Sequence, residues 1–142
     1  MPSIVKAKLT SEEEKKNLLV REINRYKWDI IGLSGTHFPV TGVDKIGDTT
    51  LLLSGRNDGI YRQGVGFILS TKAKRSLIST TPVSERIIAI RLKGTTVNLS
   101  KVQVYAPDSS RSDEDSVEFY SQLQSLIDSI PKKKHTSRQW RL

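Results

Sequence analysis

Residues 86–107, RIIAIRLKGTTVNLSKVQVYAP, decide how this chain folds. Residues 86–92 form an apolar and β-branched run, which predicts a strand. Lys93 and Gly94 then predict a turn, and residues 95–105 are again rich in β-branched side chains. Pro107 ends this second strand, because proline cannot donate to a strand ladder. The stretch therefore predicts two successive strands of a mostly antiparallel sheet.

Upstream of this stretch, short apolar runs bounded by turn residues predict further strands. Residues 49–69 are predicted to form a hairpin with a long tip, since RNDG at residues 56–59 is a strong turn signal. Residues 35–48 contain proline and glycine and are predicted to be a loop. The predicted upstream strands are residues 28–34, 49–53, 64–69 and 77–81.

Helices are predicted at both ends of the strand region. A capping pattern at Ser11 predicts a helix over residues 11–27. Ser112, followed by three acidic residues, predicts the start of a second helix, which Pro131 ends. This order of elements indicates an α+β fold, with a mostly antiparallel sheet and helices on one of its faces.

Composition excludes several classes of protein. The chain has 142 residues, enough for one domain, and no cysteine, so disulfides and thiolate zinc sites are excluded. Its two histidines, His37 and His135, are too far apart in sequence to predict a zinc site. No apolar run approaches the roughly 20 residues of a membrane span, and no signal peptide is evident. An intracellular location, in the nucleus or cytoplasm, with no membrane partner is expected.

The positive charge is concentrated at the C-terminal end. The net charge is +8, but residues 131–142 hold five basic and no acidic side chains, against 18 basic and 15 acidic in residues 1–130. Residues 131–142 also lack periodicity, which predicts a basic, disordered tail. The predicted organisation is an N-terminal tail over residues 1–10, a domain over residues 11–130, and this C-terminal tail.

Three segments together resemble one family. They are DIIGLSGTH at residues 29–37, GVGFIL at residues 64–69 and VQVYAP at residues 102–107. They resemble motifs of the endonuclease/exonuclease/phosphatase superfamily. The similarity is greatest to the apurinic/apyrimidinic-like endonuclease of non-LTR (LINE-like) retrotransposons and of craniofacial development protein 2-like proteins.

The resemblance implies a four-layered α/β sandwich, in which two sheets pack face to face with helices outside. It also implies Mg²⁺-dependent hydrolysis of a DNA phosphodiester, with carboxylates holding the metal. Gly35, however, stands where the family has its metal-binding glutamate, and the later Gly-Asp-Phe-Asn and Ser-Asp-His motifs are absent. The expectation is therefore a partial sandwich that is catalytically inactive and binds no Mg²⁺.

The same resemblance points to three remaining site residues. Tyr105 matches a tyrosine that lies near the scissile phosphate in similar enzymes, although tyrosines also pack at sheet rims. Arg111 matches a basic position that can reach DNA, although the acidic residues after it could pair with it instead. His37 would lie near the same cleft, or else be a solvated loop histidine.

Alternatives to an inactive endonuclease fragment stay open at this point. One is a nucleic-acid-binding or interaction module that uses Arg111 and the basic tail. Another is residual metal-dependent nicking, which would rise sharply on Gly35→Glu, and a third is a remnant without a role. Half of a two-sheet sandwich would also leave an apolar sheet face uncovered and open to self-association. The residues expected on that face are Ile88, Ile90, Val97, Leu99, Val102 and Val104.

Overall fold

The computed structural model describes residues 11–23, 28–36, 38, 40–55, 64–108 and 112–131. Two long helices flank seven strands in this part of the chain, and a short helix lies between the fourth and fifth strands. The elements are α1 (Ser11–Ile23), β1 (Ile30–Ser34), β2 (Gly42–Ile46), β3 (Thr49–Ser54), β4 (Val65–Leu69), α2 (Thr71–Ser76), β5 (Leu77–Ser84), β6 (Ile87–Leu92), β7 (Leu99–Val104) and α3 (Asp113–Ser129).

The strands form two antiparallel sheets. The first sheet has the order β1-β4-β3-β2, and the second has the order β5-β6-β7. In the first sheet Leu52 lies opposite Phe67, and in the second Ile87 lies opposite Val104. Because side chains alternate along a strand, these registers decide which residues share each face.

A buried core lies between the two sheets. The first sheet contributes Leu52, Val65, Phe67 and Leu69, and the second contributes Ile88, Ile90 and Leu92, all at most 6% exposed. Ala73 of α2 belongs to the same cluster. The sheets therefore pack face to face, and each covers the other's apolar face.

The long helices cover the two outer faces. Val20 of α1 packs with Leu51, Leu53 and Ile68 of the first sheet. On the second sheet, α3 covers a separate cluster, made of Ile87, Ala89, Val102, Val104, Phe119 and Leu123. The layers follow the order α1, first sheet, second sheet, α3. The predicted α+β class, with antiparallel sheets and flanking helices, is confirmed.

Two expectations about packing were wrong. The helices lie on opposite outer faces, not on one face of a single sheet. The apolar face that was expected to be uncovered is also largely buried, because Ile88 and Ile90 meet the first sheet while Val102 and Val104 meet α3. Two residues of that set are exposed, Val97 by 42% and Leu99 by 46%. Self-association stays a prediction, but the surface that suggested it is not available.

Several element boundaries also differ from the prediction. Strand β2 and the turn at Gly47 lie in the segment predicted as a loop, and α2 was not predicted. Strand β7 begins at Leu99, four residues later than predicted. Residues 1–10, 24–27 and 132–142, and the predicted turn at 56–59, lie outside the described residues. Within the described part, no helix is long and apolar enough to span a membrane.

An ion pair fastens α1 to the edge of the first sheet. The Lys16 ammonium lies 2.9 Å from Asp44 Oδ2 and 5.3 Å from the centre of the Phe38 ring. The Lys16 side chain is 11% exposed and that of Asp44 42%. The hydrogen bond from Lys16 holds the pKa of Asp44 below its ordinary value of 3.8, helped by the Lys16 charge and the Lys45 N–H and opposed by partial burial.

This pair predicts an acid-sensitive contribution to stability. Because the pKa of Asp44 is lower in the folded state, the contribution is present above the unfolded value of 3.8 and is lost as pH falls through the folded value. Because the Asp44 carboxylate is partly exposed and screened by solvent, the contribution is small. We expect the free energy of unfolding in urea to fall by at most about 1 kcal/mol more in the wild type than in Asp44→Asn between about pH 6 and pH 2. Glu118→Gln, on the exposed surface of α3, is the control. Equal losses in wild type and Asp44→Asn would contradict the assignment.

Candidate functional site

The ends of β1 and β7 meet at one edge of the sandwich, and they belong to two of the three segments that carry the family resemblance. The Ser34 hydroxyl donates to the Val104 carbonyl oxygen at 3.0 Å, across the two sheets. Gln103 Nε2 in turn donates to Ser34 Oγ at 2.6 Å. These hydrogen bonds fix the end of β1 against the end of β7, so Gly35 and Tyr105, the next residues, come together.

Gly32 allows this close approach between the sheets. A Cβ at position 32 would overlap Oε1 of Gln103, so a larger residue would displace the Gln103 amide. The glycine therefore lets the amide lie between the strands, where it reaches Ser34. Sequence reasoning identified neither Ser34 nor Gln103 as a site residue, and only the contact between the sheets shows their role.

Gly35 lies directly beside the Tyr105 ring. Its φ is +65°, in the left-handed region that glycine adopts without strain. A Cβ at position 35 would lie 3.0 Å from Tyr105 Cε2 and 3.7 Å from Cδ2. The structure thus brings together the position at which the family has its metal-binding glutamate and the predicted site tyrosine.

Arg86 holds Tyr105 by three contacts. The Tyr105 N–H donates to the Arg86 carbonyl oxygen at 2.8 Å, and Arg86 Nη1 donates to the Tyr105 carbonyl oxygen at 2.9 Å. The guanidinium carbon lies 5.5 Å from the centre of the tyrosine ring, which is a cation–π distance. The Tyr105 side chain is 36% exposed. The site therefore presents an exposed phenol, which can donate to an anion, on a residue that Arg86 holds in place.

Further hydrogen bonds tie neighbouring turns to this end of the sandwich. Thr36 N–H donates to the Gly64 carbonyl oxygen at 3.1 Å, and Gly64 N–H donates to that of Glu85 at 2.9 Å. Ser54 Oγ donates to the Ser84 carbonyl oxygen at 2.5 Å. Both sheets are therefore fixed to each other around the position of Arg86, and the site rests on strand ends instead of a free loop.

The predicted site residues have different outcomes. Tyr105 lies at the site edge just described, while His37 and Arg111 lie outside the described residues. Arg86 was not predicted, although it directly precedes the apolar run of β6. Its role depends on the β6–β7 register, in which Ile87 lies opposite Val104, and a sequence pattern does not fix that register.

The donor set beside Tyr105 does not suit Mg²⁺. Magnesium prefers oxygen ligands, usually including one or two carboxylates, and Gly35 supplies none. Among the described residues, no group of three His, Cys, Asp or Glu side chains is arranged to hold a metal ion. No hydrolytic step through a metal can therefore be derived from the described residues.

A large cavity in the described part lies away from this site. It is an open groove of about 1000 Å³ between α1, the β2–β3 turn and the start of α2. Trp28, Arg21 and Asp48 are among its lining residues, and neither Tyr105 nor Arg86 is. Its lining includes apolar, acidic and basic side chains, so it does not indicate one class of ligand.

The described residues define an α+β domain of two face-to-face antiparallel sheets with flanking helices and a tyrosine–arginine pair at one edge. The chain is similar to craniofacial development protein 2 of Bos taurus, with 28% identity over 118 residues. It is 27% identical over 118 residues to craniofacial development protein 2 of Tragulus javanicus. Each alignment covers 83% of this chain and 20% of the relative, so the chain spans about a fifth of these proteins.

Two other comparisons returned nothing. No family model matches the chain, and no solved structure matches it.

Proposed function

We propose that this chain is an endonuclease/exonuclease/phosphatase-like domain of retrotransposon type that binds the phosphate backbone of DNA beside Tyr105 without hydrolysing it. The observation that carries the proposal is the contact at the site edge, where Gly35 stands against the Tyr105 ring. A carboxylate belongs at that position in the family, and here a glycine lies against the ring. The similarity to craniofacial development protein 2 supports a nucleic-acid-related role.

Two observations on the described residues support binding without hydrolysis. The Tyr105 hydroxyl is a hydrogen-bond donor on an exposed residue, and such groups position phosphates without reading bases. Hydrolysis by this family additionally needs a metal that neutralises the phosphate charge and a base that activates water. The described residues supply no carboxylate cluster for the metal, so we propose that no Mg²⁺ is bound for catalysis here.

Duplex binding and plasmid nicking, measured on the same preparation, test this proposal. We expect supercoiled plasmid to remain intact in Mg²⁺ as in EDTA. We expect Tyr105→Phe to weaken binding of a labelled DNA duplex by about 2- to 10-fold, because one hydrogen bond is worth about 0.5–1.5 kcal/mol. Tyr120→Phe is the matched control, since Tyr120 is another exposed tyrosine (57%), which belongs to α3 and not to β1 or β7.

Two results would contradict the proposal in different ways. Mg²⁺-dependent nicking that falls with Tyr105→Phe would show that other groups replace the lost carboxylates, and the domain would be a nuclease. Equal duplex affinities for the two tyrosine variants would remove Tyr105 from the binding site. Nicking that is unchanged in Tyr105→Phe would indicate a contaminating nuclease.

A further inference from the structure

Positive charge in the described part is concentrated in one segment, and most of the basic side chains of that segment lie outside the contact between Arg86 and Tyr105. Residues 64–107 contain seven basic side chains and one acidic side chain, Glu85, a net charge of +6. Helix α3 instead carries five acidic side chains and no basic ones. It packs on Ile87 and Val104, at the end of the second sheet that leads to Tyr105. The long-range attraction for a polyanion therefore has to come from another part of the surface.

The opposite end of the second sheet supplies that charge. Lys72, Lys74 and Arg75 of α2 are exposed, as is Lys93, which begins the β6–β7 turn. The Lys93 N–H donates to the Ser76 carbonyl oxygen at 2.7 Å, which fixes the turn against the end of α2. These four residues are named the α2 basic patch, and none of them forms an ion pair with another described residue.

We infer that the α2 basic patch is a second contact surface for the phosphate backbone of nucleic acid. Lysine and arginine with neighbouring hydroxyls are the groups that contact phosphates without reading sequence, and Thr71 and Ser76 lie on the same helix. A lipid surface fits less well, because an interfacial helix needs a broad apolar face. In α2 the one apolar residue is Ala73, which is buried in the core between the sheets.

The α2 basic patch is separate from the Tyr105 site. Arg86 and Lys93 lie at opposite ends of β6, and seven residue steps of a strand span about 23 Å. Substitutions so far apart are expected to act additively. The inference rests on the proposed function, because it takes nucleic acid as the ligand, but the two surfaces can be tested independently.

The test compares two triple substitutions that remove the same charge. Lys72→Gln/Lys74→Gln/Arg75→Gln removes the helical part of the patch, and Lys15→Gln/Arg21→Gln/Lys45→Gln removes three exposed charges from α1 and β2. Glutamine keeps a helix propensity close to that of lysine and arginine. The dissociation constant of a random-sequence duplex is measured by fluorescence anisotropy from about 50 to 200 mM KCl.

The α2 triple variant is expected to weaken duplex binding at least about 10-fold at low salt and to reduce the slope of log K against log salt by about 3. The α1/β2 triple variant is expected to leave the slope nearly unchanged. Lys93→Gln lies outside the helix and is expected to reduce the slope by about 1. It distinguishes weaker phosphate binding from any effect on the folding of α2.

The remaining outcomes overturn the inference, and they separate it from the proposed function. Equal effects of the two triple variants would show that net charge alone matters. Normal binding by the α2 triple variant together with weakened binding by Tyr105→Phe would remove the α2 basic patch but leave the Tyr105 site. No duplex binding by the wild type would overturn both. Patch-dependent binding of anionic vesicles or polyglutamate, but not of the duplex, would assign the surface to a different partner.

Discussion

Phe67→Ala is expected to lower the free energy of unfolding by about 3–5 kcal/mol, the range typical for truncating a buried phenylalanine. Phe67 is 3% exposed and lies between the two sheets, with Leu52 and Ile88 in the same cluster. Removing the ring leaves an apolar cavity that the surroundings cannot easily fill, because strands of both sheets enclose the position. Urea denaturation followed by tryptophan fluorescence or circular dichroism measures the change.

Tyr120→Ala is the matched control for this prediction. It also removes an aromatic ring, but Tyr120 is 57% exposed on the outer surface of α3. Its one ring contact in the described part is edge-on to Phe119, with centroids 4.9 Å apart. We expect Tyr120→Ala to lower the free energy of unfolding by about 1 kcal/mol or less. If the two variants were destabilised equally, the face-to-face packing of the sheets in this chain would be wrong.

The strand cores could be predicted because each is a short apolar run. Strand β6 is the clearest case, since both of its faces are covered: Ile88 and Ile90 face the first sheet, while Ile87 and Ala89 face α3. Burial on both faces produces a continuous apolar run without alternation, and such a run is visible in sequence. Strand β4 has five buried residues for the same reason.

The missed elements lack such a signal. Strand β2 is an edge strand whose residues are exposed or half-buried, so GVDKI contains no apolar run. Helix α2 has six residues, too few for a helical period to appear, and one of them, Ala73, is buried. The sequence also could not predict what covers the inner face of the second sheet. Whether Ile88 meets solvent or a second sheet depends on how the segments before residue 70 fold back.

The site could be predicted in part. Tyr105 and Gly35 were identified through a resemblance of short motifs, and the structure places these two positions in contact. The position of Arg86 beside Tyr105 depends on the register that sets Ile87 opposite Val104, and residues 93–98, which separate the two strands, do not fix that register. The functional roles of Tyr105, His37 and Arg111 remain predictions.

Gly35→Glu is expected to destabilise the protein without creating nuclease activity. The φ of +65° at this position costs a residue with a Cβ about 1–2 kcal/mol. The new Cβ would also lie 3.0 Å from Tyr105 Cε2, so the ring would have to shift by a few tenths of an ångström. The substitution restores one carboxylate, but the described residues supply neither the other metal ligands nor a general base. Plasmid nicking in Mg²⁺ is therefore expected to stay at background.

The contact between position 35 and Tyr105 can also be tested directly, with a second substitution and a double variant. Gly35→Ala carries the same Cβ and the same φ. We therefore expect it to lower the free energy of unfolding nearly as much as Gly35→Glu does. Tyr105→Ala, combined with either substitution, removes the ring that the new Cβ would contact. The loss in free energy of unfolding of the double variant is therefore expected to be smaller than the sum of the two single losses by at least about 0.5 kcal/mol. Strict additivity would place the ring away from position 35. Mg²⁺-dependent nicking gained by Gly35→Glu, and absent from Gly35→Ala, would show that one carboxylate was all the site lacked.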